Sequence, residues 1–81
     1  MDIKIKSMTR GQIKALRKAG YDLALAKENR TEENSVAAME WIFDNVYPEL
    51  AKDENIPYDE MLRIATATYA KTYGKEPELK N

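Results

Sequence analysis

Between Val36 and Leu50 apolar side chains return every three or four residues. Val36, Met39, Phe43, Val46, Tyr47 and Leu50 fall on one side of a helix, with Ile42 at its edge. With Ala38 included, the apolar arc takes in about half of the circumference, more than the roughly 100° that a surface helix needs to bury. The spacing predicts a central helix over 32–51 that touches both of its neighbours. Thr31 is its expected N-cap, and Glu32 and Glu33 suit the positive end of the helix dipole. Pro48 lacks the N–H that would continue the ladder, so a break is expected there, followed by one further turn to Ala51.

A second stripe runs through Tyr58, Met61, Leu62, Ala65, Tyr69 and Thr72, widened by Ile64 and Tyr73. It predicts a helix over 57–74, opened by Pro57 and closed by Gly74. Thr9-Arg10-Gly11-Gln12 is a capping-box pattern and predicts a shorter helix over 9–20. Ile13, Leu16 and Ala19 would form its inner face, with Gly20 as the left-handed stop. Asp53-Glu54-Asn55 reads as a polar turn. Residues 21–31 read as a connector with at most a helical turn, its Leu23 and Leu25 tucked under the core.

The opening DIKIK alternates polar and apolar residues and fits either a short strand or an irregular, frayed leader. A lone short strand has no partner elsewhere in the pattern, so a leader over 1–8 is the expectation. Residues 75–81 form a polar tail expected to be mobile. The elements sum to one all-α domain: a small bundle or array of about three helices with short connections.

Composition narrows the function classes. A chain of 81 residues buries roughly 60–65% of its unfolded surface, so partner docking or oligomerisation would supplement a modest core. It contains neither cysteine nor histidine. That removes disulfides, thiol nucleophiles, the usual general base and the commonest metal ligand. No apolar run approaches the roughly 18–20 residues of a membrane span, and MDIKIKSM has no signal-peptide core. A cytoplasmic location is the expectation, and Asn29-Arg30-Thr31 is read as a chance match to the glycosylation pattern.

Charge is unevenly spread. Residues 1–20 hold six basic groups and one acid (+5), residues 21–62 three and eleven (−8), and residues 63–81 four and two (+2), for the overall −1. Arg10, Lys14, Arg17 and Lys18 fan over one side of the first helix. They read as a solvated face, as a face drawn to the acidic second helix of the same or a neighbouring molecule, or as a phosphate-binding face for nucleic acid. The acidic remainder argues against the nucleic-acid reading. The pairs Glu32/Glu33, Asp53/Glu54 and Asp59/Glu60 diverge by about 100° when helical and do not converge on a metal ion. No cofactor motif is present, and Thr68 and Thr72 are expected to bond back to the preceding turn. No residue pattern supports an enzyme.

Trp41, the single tryptophan, lies outside the central helix's stripe, near Ala37 and Asn45. Two accounts stand: the leader or the connector covers it, or it contributes to a contact surface, where tryptophan is enriched. The second gives an expected partner-binding surface of Trp41, Tyr47, Tyr58, Tyr69 and Tyr73, with Glu40 and Asp44 selecting basic neighbours in a helix-in-groove contact. The basic face set against the acidic helix also leads to the expectation of an isologous homodimer.

The stretch TRGQIKALRKAGYD, a threonine-capped basic helix with an Ala-Gly stop and an aspartate soon after, resembles the opening of small tail-assembly chaperone-type proteins of tailed phages and prophages. NVYPEL and IPYDEMLRIATATYAKTYG are similar to the later parts of such chains, and the likeness spans about two-thirds of the sequence. The resemblance implies a short, helical, non-enzymatic protein in the host-cell cytoplasm. Such a protein would shield a helical tape-measure protein or a tail-tube subunit during assembly. It carries no residue-level functional signature.

Overall fold

The computed structural model describes residues 3–21 and 31–74. Four helices follow in order: α1 (Arg10–Lys18), α2 (Glu32–Val46), α3 (Pro48–Ala51) and α4 (Tyr58–Tyr73), with no strand among the described residues. The expected all-α architecture of about three main helices is present, with α3 the single turn beyond Pro48.

Local chemistry sets the helix ends. The Thr9 hydroxyl accepts from the Gln12 N–H at 3.1 Å while the Gln12 side chain accepts from the Thr9 N–H at 2.8 Å, closing the capping box. Thr31 caps α2 by accepting from the Asn34 N–H. At Tyr47 the backbone leaves the helical region (φ −126°, ψ 61°), and Pro48 starts α3. The Asn55 N–H donates to the Asp53 carboxylate in the turn before α4. Gly20 and Gly74 follow α1 and α4 with φ of 88° and 76°, where a Cβ would be strained. Ala19 differs from expectation: it is the exposed C-cap of α1, not part of its inner face.

α2 packs along α4, and α1 crosses onto α2. Ala38, Met39, Ile42, Phe43 and Val46 of α2 meet Met61, Ile64, Ala65 and Tyr69 of α4, and Leu16 of α1 joins them, all buried. Val36, expected in the stripe, is half-buried and left toward the solvent side.

Residues 3–8 are neither strand nor frayed. They form an extended strap with Ile3 and Ile5 packed against the core and Met8 only 6% exposed, while Lys4 and Lys6 face out. Side chains stand in for the missing partner strand. The Lys6 N–H donates to the Tyr47 hydroxyl at 2.9 Å, the Met8 N–H to the Thr72 hydroxyl at 2.9 Å, and Lys71 Nζ to the Ile5 carbonyl at 3.0 Å. Thr72 and Thr68 spend their own hydroxyl hydrogens on the Thr68 and Ile64 carbonyls, as expected for back-bonding threonines. The 2.6 Å contact between Tyr47 and Thr68 therefore has the phenol as donor.

Among the described residues one buried polar group stays outside this network: the Ser35 hydroxyl is fully enclosed and finds no hydrogen-bond partner there. An unsatisfied buried hydroxyl costs about 1–3 kcal/mol, and alanine is also the better helix former. Ser35→Ala is expected to stabilise the protein by about 1 kcal/mol, measured by urea denaturation followed through Trp41 fluorescence.

Candidate protein-binding surface

Glu33, Val36, Ala37, Glu40 and Asp44 recur at helical spacing on the exposed and half-buried side of α2. At one margin Tyr58, the first residue of α4, stands beside Glu40 with 53% of its surface exposed. Two open hollows lie along this side. One, of about 740 Å³, is lined by Thr31, Glu32, Glu33, Val36, Ala37, Glu40 and Tyr58. The other, of about 340 Å³, runs on past Phe43, Asp44, Asp53, Glu54, Ile56 and Met61. Glu40 and Tyr58 line both, so the two hollows adjoin at that pair and together form a groove.

Glu32, Glu33, Glu40, Asp44, Asp53 and Glu54 rim the groove and, among the described residues, no lysine or arginine lines it, while Val36, Ala37, Phe43, Ile56 and Met61 supply apolar floor. Partial covering of the phenol, the hydrogen bond it makes with Glu40 and the charge of that carboxylate together raise the Tyr58 pKa above its ordinary value. Folding thus favours the protonated phenol. That contribution is complete below the ordinary tyrosine pKa of about 10 and is lost as pH rises through the raised value. The other acidic pair is differently placed. Glu60 is held by the Arg63 guanidinium, which lowers its pKa chiefly through their hydrogen bonds.

The expected partner-binding residues separate into three groups. Tyr58, Glu40 and Asp44 come together at the groove. Tyr47 and Tyr69 do not belong to a surface: they are 4% and 8% exposed, Tyr47 because its hydroxyl reaches inward to Thr68 and the strap, Tyr69 because it faces the core from α4. Trp41 and Tyr73 lie apart from the groove. Trp41 is half-buried against the core with the Tyr21 ring at 6.0 Å, so the residue just beyond α1 covers part of it. Tyr73, 39% exposed, leans on Tyr69 at 4.7 Å. The expected cover by Leu23 and Leu25, and the polar tail, lie outside the described residues.

Glu32, Glu33, Asp53 and Glu54 were assigned to helix starts and a turn on sequence alone, and the structure gathers them with Glu40 and Asp44. The twenty positions that separate Glu33 from Asp53 hide this; the surplus of eleven acids over three basic groups in 21–62 was the available signal. Arg10, Lys14, Arg17 and Lys18 are all exposed and none forms an ion pair among the described residues. The expected attraction between α1 and the acids of α2 is thus not satisfied within the described molecule. A second, smaller hollow of about 300 Å³ lies beside the strap, between Ile3, Lys6, Tyr47 and Leu50.

Among the described residues no cluster of three or more potential ligands could hold a metal ion, and no helix is long and apolar enough to cross a membrane. No family model, curated protein or solved structure matches the chain.

Removing the Glu40 charge should return Tyr58 toward ordinary behaviour. Titration of tyrosinate absorbance, with the Tyr58→Phe protein as the reference for the other four tyrosines, is expected to show a lower Tyr58 pKa in Glu40→Gln than in the parent.

Proposed function

We propose that this protein is a non-enzymatic protein-binding module, and that its groove on α2 takes an amphipathic helical segment bearing basic residues. The observation that carries the reading is the combination in one place of an apolar floor, an exposed tyrosine and six carboxylates, with no cation lining the place among the described residues. Aromatic anchors supply much of the energy in such contacts, and rim charges govern selection and approach. The lack of cysteine and histidine supports a binding role over a catalytic one. The finer form of the proposal is a cytoplasmic phage-type tail-assembly chaperone whose client is a helical tape-measure or tail-tube segment. Its support is the resemblance carried by TRGQIKALRKAGYD and NVYPEL.

A second reading has its own observation. The four cations of α1, which form no ion pair among the described residues, share one face, as a duplex phosphate backbone would require. A mobility shift at low salt that vanishes as salt rises would favour it.

The groove reading is tested with a labelled amphipathic peptide whose leucine face is flanked by lysines, followed by fluorescence anisotropy. Saturable binding is expected, weakened about tenfold or more by Tyr58→Ala and by Glu40→Lys/Asp44→Lys. No binding, or binding indifferent to these changes, would overturn it. For the chaperone form, co-expression with tape-measure segments should raise their soluble yield and co-purify them, and neither effect should survive Tyr58→Ala.

A further inference from the structure

Among the described residues no cation lines the groove, and α1 contains no acid. Arg10–Lys18 contains four basic residues and no Asp or Glu, and the four fall within a sector of roughly 100° on the exposed side of the helix. Lengths are compatible as well as signs. Nine helical residues extend about 13 Å, and the twelve-residue α2 stretch from Glu33 to Asp44 extends about 18 Å. Within the described molecule α1 is fixed against α2 through Leu16 and through the Gln12 side-chain N–H, which donates to the Asn45 carbonyl. Among the described residues its cations form no ion pair with the acids of the groove.

We infer that in the absence of a client the groove is occupied by the basic face of α1 from a second copy of this chain, related by a two-fold axis so that the contact forms twice. The inference rests on the groove being a protein-binding site and names its resting occupant. A two-fold pair satisfies both complementary surfaces of both molecules and leaves none to propagate. Exposed ion pairs contribute little singly and are screened by salt, so the dimer is weak and dissociates as ionic strength rises. A client with a better apolar face displaces α1, which makes self-association a competitor of client binding.

Sedimentation equilibrium of the full chain between roughly 0.02 M and 0.5 M salt tests this, since screening lengths fall severalfold over that range. The dimer constant is expected to weaken at least about tenfold with the added salt. Lys14→Glu/Arg17→Glu and Glu40→Lys/Asp44→Lys alter exposed positions only, and circular dichroism checks that both fold. Each should be monomeric alone, and an equimolar mixture should recover a dimer because every contact regains opposite charges. A monomeric parent at low salt, a dimer indifferent to either pair of substitutions, or a mixture that stays monomeric would overturn the inference. If the parent is monomeric yet binds the lysine-flanked peptide, the resting dimer is wrong and the groove reading stands. If neither associates, both fall. Binding of duplex DNA by a monomeric parent, lost in Lys14→Glu/Arg17→Glu, would give the face of α1 to nucleic acid instead.

Discussion

A relay of hydrogen bonds organises this small protein: the Lys6 N–H donates to the Tyr47 hydroxyl, that hydroxyl to Thr68, and Thr68 to the Ile64 carbonyl. A buried phenol oxygen without partners would cost about 1–3 kcal/mol, so the corner after α2, the strap and the middle of α4 gain stability by meeting at one point. Pro48 supplies the break that turns Tyr47 out of helical geometry and aims it there. The Met8–Thr72 and Lys71–Ile5 bonds fasten the strap on either side of the same point. In a chain with a modest core these ties extend the apolar cover that three helices alone provide.

What this arrangement leaves unused accounts for the proposed function. Tyr47, Tyr69 and most of the α2 stripe are consumed by the interior, and the strap closes the far side. The side of α2 toward Tyr58 receives no covering element among the described residues, although Val36, Ala37 and Ile56 present apolar atoms there. Acids gather around it from the start of α2, its exposed side and the 53–54 turn. A cationic surface arriving there would meet six carboxylates along one side. Placement, charge and the exposed ring lead to the same kind of partner.

Elements governed by local chemistry were legible in the sequence. The Thr9–Gln12 box, the Thr31 cap, the stop at Gly74 and the break at Pro48 each depend on residues within one turn of one another. The strap was not legible, because alternating Ile3 and Ile5 suggested a strand, and a strand needs a partner strand. Its actual partners are side chains 41 and 64 residues away. The tyrosines misled for a related reason. Helical spacing gives a ring's direction, but the fate of its hydroxyl is set by tertiary contacts, which took Tyr47 inward and left Tyr58 outside, past the end of the packed face. Of the expected surface, Glu40, Asp44 and Tyr58 stand together along one hollow. Trp41 proved to be a partly covered margin of the core, with Tyr21 as its cover.

The dependence of the fold on the Tyr47–Thr68 contact is tested most directly by a double-mutant cycle in urea with Tyr47→Phe, Thr68→Val and the pair. The two residues are predicted to be coupled by about 1 kcal/mol or more, because each single change strands the other's buried oxygen or hydrogen. A coupling within about 0.3 kcal/mol of zero, with additive single effects, would contradict it.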